Sequence, residues 1–172
     1  MRTDGQPLEI ERKYLIRYPE ESWLDGLPGS SRAELVQTYL KSADGETQRV
    51  RTWTENGRTL RYHTVKRRLT DLTRIEEERE ITETEYQELL REEDPDRRPI
   101  RKTRWRVPYE GHLLEIDLYP FWQNQAVLEC ELESEEEEAR FPSELRIIRE
   151  VTADARYLNS SLARNIPEED IL

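Results

Sequence analysis

Hydrophobic and polar residues alternate with period two along most of this chain, the pattern of strands whose two faces meet different surroundings. The alternation predicts strands over about 8–17, 33–41, 46–54, 58–67, 73–81, 99–107, 112–119 and 125–133. Asp44-Gly45, Asn56-Gly57 and Glu110-Gly111 stand at three of the joins. Such pairs tolerate the positive φ of tight turns, so the strands they connect run antiparallel. Where the period changes, short helices are expected. Thr82-x-x-Glu85 forms a capping box ahead of an apolar stripe at Tyr86, Leu89 and Leu90, and Asp94-Pro95 ends it. Ser134-x-x-Glu137 suggests a second helix and Thr152 a cap for a third over about 154–164. A turn of helix is expected near Pro19–Leu24, with Pro19 at its first position.

The faces are more informative than the spans. In the first strand Leu8, Ile10, Tyr14 and Ile16 share one face, with Arg12 as the exception, and Glu9, Glu11 and Lys13 share the other. Thr103, Trp105 and Val107 oppose Lys102, Arg104 and Arg106; Leu114, Ile116 and Leu118 oppose Glu115, Asp117 and Tyr119. Leu128, Cys130 and Leu132 oppose Glu129, Glu131 and Glu133. A wet strand face normally mixes signs, whereas here carboxylates gather on some strands and cations on others. The fold class this implies is α+β, mainly antiparallel β: an eight-stranded closed β-barrel with a few short flanking helices and a charged interior. An open sheet with one charged wet face is the competing reading.

Composition bears on the same point. The chain has 172 residues, enough for one domain, with 34% hydrophobic and 38% charged residues. That balance borders on disorder, but four Trp, eight Tyr and the regular alternation argue for a fold that hides charge inside itself. A net charge of −11 disfavours nucleic acid as a partner. The cations nevertheless cluster, as Arg49/Arg51, Arg61/Lys66/Arg67/Arg68 and Arg101/Lys102/Arg104/Arg106, which suits a small polyanion. The single cysteine, Cys130, excludes an intramolecular disulfide and a Cys-rich zinc site. No apolar run approaches a membrane span, and the N-terminus lacks a signal-peptide core. A cytoplasmic monomer or homodimer, free of membrane, is expected.

Two Glu at i and i+2 place carboxylates about 7 Å apart on one strand face. Glu9/Glu11, Glu129/Glu131 and Glu78/Glu80 are such pairs. Mg²⁺ and Mn²⁺ take oxygen ligands of this kind and commonly share them with substrate phosphate. Arg forks and Lys point charges bind phosphate oxygens, and Lys13, Arg49, Arg51, Lys66, Lys102 and Arg104 supply them. No Ser/His/Asp or Cys/His/Asp set stands out, with only His63 and His112 present. Trp53 and Trp105 are candidates for stacking on a base, with wall packing the plainer use.

These residues in this order resemble the CYTH, or triphosphate tunnel metalloenzyme, family. Its Glu-x-Glu-x-Lys stands here as Glu9-Ile10-Glu11-Arg12-Lys13, its Arg-x-Arg as Arg49-Val50-Arg51 and its Thr-x-Lys as Thr64-Val65-Lys66. Glu78-Arg79-Glu80, Lys102-Thr103-Arg104, Glu115-Ile116-Asp117 and Glu129-Cys130-Glu131 follow, and Val151–Asn159 resembles the family's ending. The resemblance implies an eight-stranded tunnel with metal on Glu9, Glu11, Glu129 and Glu131. It implies phosphate on Lys13, Arg49, Arg51, Lys66, Lys102 and Arg104. Glu9, Glu11, Lys13 and Glu131 are the implied catalytic set, and Glu78, Glu80 and Asp117 could equally orient the cations. Cyclase-type members carry His-Phe before the first motif, where this chain reads Thr3-Asp4-Gly5-Gln6-Pro7. Inorganic triphosphate hydrolysis with Mg²⁺ or Mn²⁺ is therefore the first expectation. Nucleoside or thiamine triphosphate hydrolysis comes next, then cyclisation of ATP, with a non-catalytic polyphosphate or nucleotide-binding module as the other class. One departure is Ser160, where the family often has Lys after the Asn.

Overall fold

The computed structural model describes residues 7–170. The chain runs through β1 (Leu8–Arg17), α1 (Glu21–Asp25), β2 (Ser31–Leu40), β3 (Glu46–Glu55), β4 (Arg58–Arg68) and β5 (Thr73–Glu80). It continues through α2 (Glu83–Leu89), β6 (Ile100–Tyr109), β7 (His112–Leu118), β8 (Gln125–Glu131), β9 (Ile147–Glu150) and α3 (Asn159–Leu162). The sheet order is β5-β4-β3-β2-β6-β7-β8-β1-β9, and β5 also pairs with β1. That last pairing closes eight antiparallel strands into a barrel, which excludes the open sheet.

Turn chemistry sets the two tightest hairpins. Asn56 and Gly57 have φ of 50° and 76°, and Glu110 and Gly111 have 46° and 80°. Positive φ at both central residues gives the turn whose twist matches paired strands. Register follows at once, from Glu55↔Arg58 in one hairpin and from Tyr109↔His112 in the other.

Strand β1 is the seam. Its first residues pair with β5, Leu8↔Ile75 through Ile10↔Thr73, and its whole later length pairs with β8. Beyond Ile10 the edge facing β5 passes to β9, with Tyr14↔Glu150 and Ile16↔Ile147. The sequence pattern did not predict β9; its four residues, two adjacent Ile followed by Arg and Glu, carry no alternation to register.

Apolar residues pack on both sides of the wall. Outside, Ile16, Trp105, Leu114, Ile116 and Leu128 pack under Leu24 of α1 and Leu145. Leu40, Val50 and Ile81 meet Tyr86, Leu89 and Leu90 of α2 and its following turn. Inside, one end of the barrel is filled by Leu15, Tyr39, Ile100, Tyr119 and Val127. Val151, Tyr157, Leu162 and Ala163 of the C-terminal segment complete this plug.

The helices followed the sequence unevenly. Thr82 and Glu85 form the expected reciprocal cap. The early helix has Glu20 at its N-cap position, with no side-chain cap, and starts at Glu21, so Pro19 is not its first residue. Ser134–Glu137 makes only a turn, closed by Glu137 N–H to the Ser134 carbonyl at 3.3 Å. The spacing for a box was present, but the following Glu run offers no stripe to bury, and short helices need one. Thr152 caps nothing: its Oγ1 accepts from Lys13 N–H at 3.0 Å and donates to Glu150. The expected helix over 154–164 is instead a 3-10 turn at Ala155–Tyr157, capped by Asp154, followed by the short α3.

Candidate active site

Above the plug the barrel interior holds a cavity of about 380 Å³. Inward-facing residues of all eight barrel strands line it, Tyr39 being the one from β2, and the alternation explains how. Glu9, Glu11 and Lys13 come from β1, Arg49, Arg51 and Trp53 from β3, and Tyr62, Thr64 and Lys66 from β4. Arg74, Glu76 and Glu78 come from β5, and Arg104 and Arg106 from β6. Glu115 on β7 and Glu129 and Glu131 on β8 complete the charged ring, while Leu158, Asn159 and Ser160 form part of the floor with Tyr39. Seven cationic and seven acidic side chains therefore face one space.

Many of these charges already hold one another. Lys66 Nζ donates to both oxygens of Glu9, at 3.0 and 3.2 Å, and lies 3.1 Å from Glu76. Lys13 Nζ donates to the Tyr157 carbonyl at 3.2 Å and sits 3.5 Å from Glu129. Arg104 grips Asp117 with Nε and Nη2, at 2.8 and 2.9 Å, and reaches Glu115 with Nη1 at 2.9 Å. Glu78 accepts from Thr64 Oγ1 at 2.7 Å and, more loosely, from Arg51 at 3.4 Å.

Other groups are buried without partners among the described residues: Glu11 Oε2, Arg49 Nε, Arg51 Nε and Nη1, and Arg106 Nε. Leaving such atoms unpaired costs about 1–3 kcal/mol each. A site built to receive an anion has this character.

No family profile matches the chain. A curated inorganic triphosphatase of Acetivibrio thermocellus is 33% identical over 158 residues, 91% of this chain and 94% of that protein. The chain belongs to the triphosphate tunnel (CYTH) family. The solved structure of the inorganic triphosphatase NE1496 superposes on the tunnel with a TM-score of 0.59 at 27% identity, covering 98% of this chain and 99% of that one. A Pyrococcus horikoshii protein, PH1012, shares the fold at 22% identity and TM-score 0.56, over 74% of this chain and 79% of its own.

The tunnel gathers most of the residues expected from sequence, with three exceptions, Lys102, Glu80 and Asp117. Lys102 does not line the cavity: its fully buried Nζ bonds Asp117 at 2.7 Å and lies 3.5 Å from Asn159 Oδ1, beside Tyr119 of the plug. Glu80 shares the face of Glu78 but lies beyond the cavity, exposed at the end of β5. Asp117 is fully buried and holds both Lys102 and Arg104. Thr3–Gln6, where the His-Phe pair is missing, lies outside the described residues.

Glu76, Glu115, Arg74 and Arg106 line the tunnel without having been singled out as ligands. Their signal was parity, since Glu76 and Arg74 share the face of Glu78, Arg106 that of Arg104, and Glu115 that of Asp117. Trp53 lines the tunnel half-buried, whereas Trp105 packs in the outer core.

The carboxylates divide into two classes. Burial raises Glu9, but Lys66 and the hydrogen bonds from Lys66 and Glu76 outweigh it and hold Glu9 well below the usual range. Burial likewise opposes, and Lys13 and Arg104 overcome, the shift at Glu129, which is also held low. Glu11 is pushed well above its usual value, by burial and then by Glu129 and Glu9. Glu131 rises to about 7, through desolvation and the charges of Glu115, Glu9 and Glu129. Glu11 and Glu131 stand directly opposite one another on β1 and β8. Like charges so placed repel. A hard cation between them would remove that repulsion, and an all-oxygen donor set suits Mg²⁺ or Mn²⁺. Among the described residues no three acidic, His or Cys side chains already converge on one point.

Proposed function

We propose that the tunnel binds inorganic triphosphate and hydrolyses it to pyrophosphate and phosphate with the aid of a divalent metal. The observation that carries this reading is the set of buried, unpartnered guanidinium N–H groups of Arg49 and Arg51 facing the cavity. They point to an anion that brings many oxygens, and both the Acetivibrio thermocellus protein and NE1496 are inorganic triphosphatases.

Charge balance supports the metal. Fully ionised, the seven lining carboxylates cancel the seven lining cations. A triphosphate then enters with several uncompensated negative charges, which protons or divalent cations must offset. Glu11 and Glu131, with Glu9 and Glu129 beside them, would hold the cation. Mg²⁺ or Mn²⁺, when bound, would supply charge neutralisation at the phosphates and a more acidic water. In this reading Lys66 and Lys13 exchange Glu9 and Glu129 for phosphate oxygens, freeing those carboxylates. Arg49 and Arg51 fork onto phosphate through their unpaired N–H groups. Arg104, already fixed on Asp117, supplies a rigid charge.

Water adds to a terminal phosphorus, the bridging P–O bond breaks, its electron pair leaves with pyrophosphate, and the water's proton passes to solvent. The chain's share of catalysis is positioning and preorganised charge. We place the protein in the cytoplasm: Cys130 is a buried free thiol, and no helix among the described residues is long and apolar enough to cross a membrane.

The test is phosphate release from tripolyphosphate, ATP, thiamine triphosphate and pyrophosphate, each with Mg²⁺, Mn²⁺ or chelator. Tripolyphosphate turnover well above the rest, abolished by chelator, is expected. Tight binding with no turnover under either metal would make the protein a sensor.

A further inference from the structure

Arg106 and Trp53 stand at the end of the tunnel away from the plug. On β3, Arg49 pairs with the plug residue Tyr39, and Trp53 lies four residues farther along the same face, roughly 13 Å away. On β6 the plug residue is Ile100, and Arg106 lies six residues beyond it, roughly 20 Å along the strand. A group attached to a phosphate chain held by Arg49 and Arg51 and extending away from the plug comes alongside these two side chains.

Trp53 is already engaged. The Arg51 guanidinium carbon lies 5.9 Å from its ring centroid and that of Arg106 lies 5.6 Å away. Its indole N–H donates to Glu55 Oε1 at 3.1 Å, which fixes the ring's rotation. Guanidiniums at this range are attracted by the ring's negative face. The indole therefore holds two like charges side by side, and to stack on a base it would have to release at least one of them. Arg106, by contrast, has its Nε buried without a hydrogen-bond partner among the described residues while lining the same cavity as Arg49 and Arg51.

We infer that Arg106, braced by Trp53, is a further phosphate-binding residue and makes the tunnel prefer an inorganic triphosphate to one carrying an organic group. This rests on the triphosphatase reading above. Both ends of inorganic triphosphate are terminal phosphates with extra charge and free oxygens, whereas the outermost phosphate of a nucleotide in the same place is an ester with a single charge. A forked cation at the mouth rewards the former. Trp53 is a positioning residue in this account, acting through Arg106 and Arg51.

The experiment compares kcat/KM for tripolyphosphate and ATP, with Mg²⁺, in wild type, Arg106→Gln, Trp53→Leu and Trp53→Phe. Arg106→Gln should lower the tripolyphosphate value about ten- to a hundredfold, the scale of a charged hydrogen bond, and the ATP value much less. Trp53→Leu should shift the preference the same way, with Trp53→Phe restoring part of it through its remaining ring. Equal losses on both substrates would overturn the inference, as would a Trp53→Leu variant that loses ATP turnover selectively, because the ring would then be a base platform. If wild type binds tripolyphosphate without turnover, the triphosphatase reading fails alone. The same preference is then read from dissociation constants by calorimetry, where an unchanged ratio in Arg106→Gln sinks the proposal. Circular dichroism spectra and melting curves matching wild type establish that each variant is folded.

Discussion

Two poles of the tunnel carry the same residue types and use them differently. On β6, Arg104 and Lys102 are bonded to Asp117, which is itself fully buried, and Arg104 also reaches Glu115 and approaches Glu129. On β3, Arg49 and Arg51 are equally buried yet keep N–H groups with no partner among the described residues. A cation tied to a buried carboxylate is part of the scaffold. One with unpaired donors lowers stability and is kept ready for a ligand. The two arginines differ electrostatically in the same sense: burial opposes Arg104's charge, but Asp117 and Glu115 raise the group well above its usual value, whereas Lys102 beside it is depressed by burial to about 7 in spite of Asp117. Burial, then Arg49 and Arg104, depress Arg51 to about 10.

The largest expected effect comes from breaking the tied pole. Asp117→Asn takes from Lys102 its bonded carboxylate and leaves Arg104 to Glu115, and should cost about 3–5 kcal/mol in denaturant unfolding. A change below about 1 kcal/mol would mean the pair is not structural. The open pole should behave in the opposite sense. Arg51→Ala should leave unfolding stability unchanged or higher, while kcat/KM for tripolyphosphate falls about a hundredfold or more. If Arg51→Ala destabilised the fold as much as Asp117→Asn, the distinction between the poles would collapse.

Next in size is a pH effect at the carboxylates between the poles. Glu131 and Glu76 are both raised to about 7, in each case by desolvation first, and Glu11 is likewise raised, by burial and then by Glu129 and Glu9. A carboxyl raised in the folded state binds more protons there than in the unfolded chain. Its contribution to stability is full below the unfolded value and lost as pH climbs through about 7. Divalent metal needs the ionised forms, so the gain in melting temperature from Mg²⁺ alone should grow from pH 5 to pH 8. A gain independent of pH would place the metal elsewhere. The smallest effect is outside the barrel. Thr82→Ala removes the cap of α2, which packs behind Val50 of β3, and should cost about 1 kcal/mol with turnover intact.

The difference between the poles also marks what sequence could reveal. Parity placed Glu9, Glu11, Lys13, Arg49, Arg51, Lys66 and Arg104 on one face each, because alternation is a local property of a strand. Lys102 has the same parity as Arg104 yet serves the plug. What separates them is the position of Asp117, Tyr119 and Asn159 around its amine, set by pairing across strands and by the C-terminal plug. Arg106 and Glu76 were legible by the same parity. Nothing local distinguished them from neighbours such as Glu80, which share a face but fall beyond the cavity. The C-terminal segment defeated periodicity for a related reason: Thr152 and Asp154 have the chemistry of caps, but β1 claims the first through Lys13 N–H.

The most direct measurement of the central claim is the stoichiometry of phosphate released from tripolyphosphate with Mg²⁺. The account predicts one phosphate per tripolyphosphate, pyrophosphate accumulating as the other product, and turnover that stops on chelation. No phosphate release, or release that continues undiminished in chelator, would contradict it.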